Sequence, residues 1–110
     1  SLRCILENES TVFSPEFAES VINWRNVTDM NVKQVVDIML ADKLDILFDF
    51  SGHTANNFLA MMQYKPAPVQ ISGIGWFDTT GLDTIDYFLA DYYTDPPGYN
   101  DEFFTEKLLR

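Results

Sequence analysis

The sequence has little cysteine, little positive charge and no long hydrophobic run. Its lone cysteine, Cys4, excludes an internal disulfide and leads us to expect a reducing, cytoplasmic setting. Seven Lys and Arg stand against seventeen Asp and Glu, which gives a formal net charge of −10. Because such a chain cannot neutralise many phosphates, we expect it to bind neither nucleic acid nor a membrane surface. No apolar run is long enough to span a bilayer, and we recognise no secretory signal.

Apolar material, in contrast, is sufficient for a core. Of the 110 residues, 46% are hydrophobic, and they include nine Phe, five Tyr and two Trp. This composition excludes disorder, and the length suits one compact domain. We therefore treat residues 1–110 as a single domain and expect it to be a fragment of a longer protein.

Strands and helices alternate along most of the chain. Strands are predicted at residues 2–6, 24–27, 45–50, 69–75, 84–91 and 106–110, and helices at 15–22, 28–43 and 55–64. This order predicts an α/β fold, a Rossmann-like layered arrangement with a mainly parallel sheet. The segment DILFDF at 45–50 has apolar residues on both faces, which predicts burial on both sides of that strand.

Two loops follow predicted strands and hold the candidate site. The histidine loop, Ser-Gly-His-Thr at residues 51–54, contains the only histidine, His53. The tryptophan loop, Gly-Ile-Gly-Trp-Phe-Asp-Thr-Thr-Gly at residues 73–81, follows the next strand. Ligands bind outside the carboxyl ends of strands in open parallel sheets. If the two strands are neighbours, both loops share one edge and form a ligand site.

Each of these candidate residues also has a purely structural explanation. A cap for the following helix, or a partner for a buried carbonyl, would also account for His53. Gly52 would then serve a tight turn, and Trp76 and Phe77 would be ordinary core residues. The tryptophan loop lacks the spacing and the lysine of a phosphate-binding loop.

The acidic residues have plain interpretations as well. Asp45 and Asp49 resemble a phosphoacceptor pair of a receiver domain, but a solvated or end-capping role is favoured for both. The acidic residues of the 91–102 connection, Asp95 among them, are expected to keep that loop hydrated. One histidine and one cysteine without a ligand cluster predict no metal site, and spacing alone assembles no Ser-His-Asp set.

Several motifs together resemble a known family. They are SGHT at 51–54, KPAPVQ at 65–70, GIGWFDTTG at 73–81, IDY at 85–87 and EKL at 106–108. Their order and spacing resemble the O-linked N-acetylglucosamine transferase family, glycosyltransferase family 41, in its bacterial and plant-type members. The resemblance runs from about Trp24 to Arg110.

The resemblance implies a two-lobed GT-B glycosyltransferase. Such enzymes transfer a sugar from a UDP-sugar, here UDP-GlcNAc, to Ser or Thr hydroxyls of proteins, with inversion and without a metal or other cofactor. Tetratricopeptide repeats usually precede the catalytic region. This chain would be part of the N-terminal catalytic lobe, without the lobe that binds most of the donor, and inactive alone. Its partners would be the UDP-sugar and the protein acceptor.

The resemblance also implies site residues. Substrate-binding positions are Gly52, Thr54, Ile74, Gly75, Trp76, Thr79 and Thr80. His53 is a candidate catalytic residue.

The chain also departs from the family. Relatives often carry a histidine at the position of Asn23, and Glu19, one helical turn earlier, is a candidate catalytic substitute. The family's Tyr-Pro-Gly is replaced by Trp76, Phe77 and Asp78. These departures favour an alternative, a non-catalytic α/β interaction module derived from the same fold; a receiver-like domain is a third possibility.

Overall fold

A computed structural model of the chain describes residues 4–7, 23–27, 29–54 and 57–110. The chain divides into two compact units, residues 1–31 and 32–110, which are described separately below. The predicted helix at 15–22 lies outside the described residues, and so does Thr28, the predicted first residue of the next helix.

In the described part of the first unit, two strands run in the same direction. Strand β1 spans Cys4–Glu7 and β2 spans Asn23–Asn26. They pair in parallel, with Cys4 opposite Asn23. Both strands were predicted, each within two residues of its observed start.

The second unit contains a four-stranded, all-parallel sheet. Its strands are β3 (Ile46–Asp49), β4 (Val69–Gly73), β5 (Tyr87–Leu89) and β6 (Lys107–Leu109), in spatial order β3-β4-β5-β6. Each pair is parallel, so all four carboxyl ends lie at one edge. A parallel pair cannot be closed by a tight hairpin and needs a crossover connection. The long segments after β3, β4 and β5 provide those connections.

Helix α1 spans Val32–Ala41, and its apolar spacing follows the helical period. Val35, Val36 and Met39 are buried as that spacing predicts. The helix ends two residues before the predicted Lys43, which takes a left-handed conformation with φ 51° and donates its N–H to Leu40 O. This arrangement ends the helix. The free carbonyl of Leu40 receives a hydrogen bond from Lys43, whose left-handed backbone cannot continue an α-helix.

Helix α2 spans only Leu59–Met62 and is shorter than the predicted 55–64. Residues 57 and 58 are not helical, and Asn57 Oδ1 accepts a hydrogen bond from Leu59 N at 3.0 Å. An asparagine that satisfies a free N–H at the first turn delays the helix start. Among the described residues, no helix has the length and apolar character needed to cross a bilayer.

The two neighbouring strands β3 and β4 differ in burial. Strand β4 is buried on both faces, since Gln70, Ile71 and Ser72 are all buried. The burial on both faces predicted for DILFDF at 45–50 is wrong for β3, where Ile46 and Phe48 are about half exposed. The exposed residues alternate with the less exposed Leu47 and Asp49, so the described residues leave one face of β3 uncovered at this edge of the sheet.

A small apolar core packs beneath the sheet. Leu59, Met62 and Ile85 form its buried centre, with Leu47 and Leu82 packed against them. Elsewhere Phe88 packs against Phe104 with ring centroids 5.1 Å apart. These contacts hold in place the segments that connect the strands, and the two candidate loops belong to those segments.

Candidate functional site

The two candidate loops share one edge of the sheet. Asp49, the last residue of β3, lies opposite Ser72 of β4 in parallel register. The histidine loop and the tryptophan loop therefore leave the same edge side by side. The rings of His53 and Trp76 meet edge to face, with centroids 5.6 Å apart and planes at 69°. The expected shared edge is confirmed.

One buried carboxylate determines the path of the histidine loop. Asp49 Oδ1 accepts hydrogen bonds from Ser51 N at 3.1 Å and Ser51 Oγ at 2.9 Å. Its Oδ2 accepts from Gly52 N at 2.9 Å and Ser72 Oγ at 2.7 Å. The end-capping role favoured for Asp49 is confirmed, but the side chain is only 4% exposed and is not solvated. The carboxylate thus ties the end of β3 to both its own loop and β4.

Glycines allow the two loops to touch. A Cβ built on Gly52 would overlap the side chain of Trp76, and Gly52 has φ 52°, a conformation that glycine adopts without strain. A Cβ built on Gly75 would overlap the carbonyl oxygen of Phe50. Any larger residue at either position would separate the loops. The imidazole and the indole meet because these two positions have no side chain.

The tryptophan loop begins with a strained turn. Gly75 N donates to Gly73 O at 2.9 Å, which closes a three-residue turn around Ile74. Ile74 has φ 72°, a rare conformation for a β-branched residue. Its side chain is 65% exposed and points away from the core. Backbone strain of this kind occurs often at ligand sites, where the fold holds it in place.

A second buried carboxylate holds the far end of the tryptophan loop. Glu106 Oε2 accepts from Thr79 Oγ1 at 2.7 Å, and its Oε1 accepts from Thr80 N at 2.8 Å and from the Thr80 hydroxyl. Thr79 Oγ1 also accepts from Thr105 N at 3.3 Å and Gly81 N at 3.1 Å. The hydroxyls of both threonines are therefore engaged within the chain.

The side chains on the rim differ in exposure. His53 and Thr54 are exposed, and Trp76 is half-buried. Phe58 occupies the N-cap position of the following helix, and Leu59 N donates to Asn57 Oδ1, not to His53. The core interpretation of Phe77 is wrong, because its ring is 74% exposed. The indole Nε1 of Trp76 is buried and has no hydrogen-bond acceptor in the part of the chain that the structure describes.

The other predicted residues lie elsewhere. Glu19 lies outside the described residues, and of Asn23 only the backbone is described. Asp45 is exposed. The expectation that Asp95 is hydrated is wrong, because this side chain is buried and its Oδ1 accepts from Asn100 Nδ2 at 3.2 Å. Within the described residues, no three or more His, Cys, Asp or Glu are placed to hold a metal ion.

From the sequence, an end-capping role was favoured for Asp49, but its bond to Ser72 Oγ and the support that Glu106 gives to the site were missed. Asp49 lies one residue before the end of a predicted strand, and the sequence Asp-Phe-Ser-Gly at 49–52 is a signal for a side-chain-capped turn. Glu106 lies 26 residues after Thr80, so only the three-dimensional fold shows their contact.

Comparison with known proteins agrees with this geometry. The model of the family described as glycosyl transferase family 41 matches residues 4–109. A probable UDP-N-acetylglucosamine–peptide N-acetylglucosaminyltransferase SPINDLY from Petunia hybrida is 45% identical over 87 residues, 79% of this chain and 9% of that protein. A similar protein named SEC from Arabidopsis thaliana is 32% identical over 102 residues, 93% of this chain and 10% of that protein.

A solved structure confirms the fold. An O-GlcNAc transferase mutant from Thermobaculum terrenum superimposes with a TM-score of 0.90 at 29% identity, covering 97% of this chain and 21% of that one. The α/β Rossmann-like lobe of a GT-B glycosyltransferase, expected from the sequence, is thus confirmed. The chain belongs to glycosyltransferase family 41. It spans about a tenth of the length of the curated relatives that it matches.

Proposed function

We propose that this chain forms the acceptor-side wall of the catalytic cleft in a protein O-GlcNAc transferase-like enzyme. The whole enzyme would move a sugar, here GlcNAc, from a UDP-sugar to Ser or Thr hydroxyls of proteins, with inversion. The observation that carries the proposal is the contact of His53 with Trp76 across two loops at the carboxyl edge of the sheet. Ligands bind at this edge in open α/β folds. The names of the relatives, peptide N-acetylglucosaminyltransferases, supply the reaction class.

The proposed step is a single displacement. The acceptor hydroxyl oxygen attacks the anomeric carbon from the face opposite UDP. The carbon–oxygen bond to UDP breaks, and the diphosphate leaves with the electron pair. The hydroxyl proton passes to a base, for which His53 is our first candidate because its exposed imidazole has a nitrogen able to accept a proton. Glu19 is the alternative base.

The remaining candidates fall into two groups. Gly52, Thr54, Ile74, Gly75 and Trp76 would contact sugar or acceptor, supported by their position on the rim or by close backbone approach. Thr79 and Thr80 would hold the wall in place, supported by their hydrogen bonds to Glu106.

The donor diphosphate would be bound mainly outside this chain. The histidine loop and the tryptophan loop contain no Lys or Arg. A departing diphosphate needs cationic groups or a helix N-terminus for stabilisation. The other lobe and tetratricopeptide repeats elsewhere in the polypeptide are part of the same proposal. So is a cytoplasmic location, which the single cysteine supports.

Sugar transfer by the intact polypeptide that contains this chain tests the proposal. UDP-GlcNAc and Ser/Thr peptides are supplied, and modified peptide is measured by mass spectrometry for wild type, His53→Ala and His53→Gln. We expect both variants to lose about 100-fold in kcat/KM, with melting temperatures close to wild type because His53 is exposed. Gln63→Ala, an exposed change at the end of α2, is the matched control and should retain activity.

Two results would contradict this assignment. If the His53 variants lose activity and stability to the same degree, the role of His53 is structural and not catalytic. A folded wild-type protein that modifies no peptide with any UDP-sugar would instead support a non-catalytic interaction module.

A further inference from the structure

A cavity of about 550 Å³ opens beside the candidate site. We call it the aromatic–acidic pocket; its lining residues are Trp76, Phe77, Asp78, Asp95, Asn100, Phe103 and Phe104. It lies between the tryptophan loop and the connection from β5 to β6. Trp76 belongs both to this lining and to the ring contact with His53. A group bound in the pocket would therefore lie next to the proposed acceptor hydroxyl.

One side of the pocket presents aromatic rings to solvent. Phe77 is 74% exposed and Phe103 is 66% exposed, although both are large apolar side chains. Exposed aromatic groups around a concavity indicate a binding surface more often than single scattered ones do. The faces of aromatic rings carry partial negative charge and attract cations.

The other side of the pocket is acidic. Asp78 is exposed and uses its Oδ1 to accept a hydrogen bond from Thr79 N at 2.8 Å. Asp95 is buried in the lining, with Asn100 as a hydrogen-bond donor. Both carboxylates face a cavity that, among the described residues, has no Lys or Arg in its lining.

A nearby cation, Arg110, forms an ion pair with Asp101, which does not line the pocket. Its guanidinium donates to the carboxylate of Asp101 and through Nε to the backbone oxygen of Asp95 at 2.5 Å. The Arg110 hydrogen bond lowers the pKa of Asp101. That charge is paired with Asp101 and also attracts the Asp95 carboxylate, so Asp78 is the pocket carboxylate that would meet an external cation.

We propose that the aromatic–acidic pocket binds a lysine or arginine side chain of the protein acceptor, close to the Ser or Thr that is modified. This inference rests on the proposed function and adds a specificity for basic acceptor segments. Aromatic faces and carboxylates together recognise an ammonium or guanidinium group by cation–π attraction and charge pairing. A net charge of −10 would also draw basic segments towards this surface.

Binding of two matched peptides to the intact protein tests the inference. Both are fluorescein-labelled Ser peptides of one sequence, with lysines flanking the serine in one and norleucines in the other. Fluorescence anisotropy gives the ratio of the two Kd values. We expect the lysine peptide to bind wild type about fivefold more tightly. Raising the NaCl concentration should reduce this ratio, because exposed charges are screened by salt.

Three variants separate the pocket from general charge effects. Asp78→Asn keeps the Oδ1 acceptor for the loop backbone but removes the charge, and should bring the ratio close to one. Phe103→Ala removes an aromatic face and should lower the ratio in part. Asp83→Asn removes an exposed charge between β4 and β5 that does not line the pocket, and should leave the ratio unchanged.

Equal binding of both peptides by wild type, or a ratio that Asp78→Asn leaves intact, would overturn the inference. So would a ratio that salt leaves unchanged, because attraction between exposed charges is screened by salt. The two proposals fail separately in this design. Sugar transfer without discrimination of lysine refutes only the pocket, whereas discrimination without any transfer refutes only the proposed function.

Discussion

At the scale of single residues, Asp49 has the largest structural role in the site. Four donors from three residues converge on its two oxygens, and the side chain is almost fully buried. A neutral amide could accept only through one oxygen and would place its own N–H groups against N–H and O–H donors. A buried polar group without a hydrogen-bond partner reduces the free energy of unfolding.

Asp49→Asn should therefore reduce the free energy of unfolding by about 2–4 kcal/mol. Ser72→Ala removes one of the four donors and should reduce it by only about 1 kcal/mol. Urea denaturation at neutral pH, followed by circular dichroism, measures both. Equal effects of the two substitutions would show that the carboxylate is not the centre of this network.

Ile74 gives a second prediction at this scale. Its positive φ is imposed by the turn that Gly75 N and Gly73 O close. Replacing Ile74 by glycine would relieve strain of about 1–3 kcal/mol. It would cost about 0.5–1 kcal/mol, because glycine has more conformational freedom in the unfolded chain. Since the Ile74 side chain is mostly exposed, Ile74→Gly should raise the melting temperature, and Ile74→Ala should raise it less. A lower melting temperature for Ile74→Gly would indicate that the turn is unstrained.

At the scale of strands, helices and loops, the sequence predicts the type of each element better than the residues at which it begins and ends. Alternating strands and helices indicated a parallel sheet, and strand order then placed His53 beside Trp76. The exposure of Ile46 and Phe48 could not be predicted, because apolar residues on both faces look the same in an inner strand and at an edge. The bond from Thr80 to Glu106 was also invisible, since nothing local in either segment specifies a partner 26 residues away.

The turn between α2 and β4 is tied to the start of β5 by an ion pair. Lys65 Nζ lies 2.7 Å from Asp86 Oδ1, and Asp86 Oδ2 accepts from Gln70 N at 2.9 Å. The hydrogen bond from Lys65 is the main cause that lowers the pKa of Asp86 below its ordinary 3.8. Both side chains are about one-third exposed, so the contribution to stability is small.

This ion pair has a defined pH dependence. Because the pKa of Asp86 is lower in the folded state, the stabilisation is complete above 3.8 and is lost as the pH falls through the folded value. Asp86→Asn keeps an acceptor for Gln70 N and should lower the melting temperature by about 1–4 °C at neutral pH. The difference from wild type should narrow below pH 3.8. Lys65→Met should lower the melting temperature by a similar amount. The double variant should lose no more than either single variant. If the two losses add instead, the two side chains do not interact.

At the scale of the whole molecule, negative charge limits what this chain can bind alone. Seventeen acidic residues outnumber seven basic ones, and the two candidate loops have no Lys or Arg. In the described part of the chain, Lys65 is paired with Asp86 and Arg110 with Asp101. The UDP-sugar of the proposed function carries its charge on the diphosphate, so its tight binding would need cationic groups from elsewhere in the polypeptide.

UDP titration therefore distinguishes the chain from the intact protein. With millimolar UDP, the melting temperature of the intact protein should rise by several degrees, because a ligand that binds only the folded state stabilises it by mass action. The isolated 110-residue chain, first shown to be folded by circular dichroism, should shift by less than about 1 °C. Uridine, which lacks the diphosphate, is the matched control and should shift neither protein. A shift of the isolated chain equal to that of the intact protein would mean that these residues bind the diphosphate themselves, against the repulsion that their charge predicts.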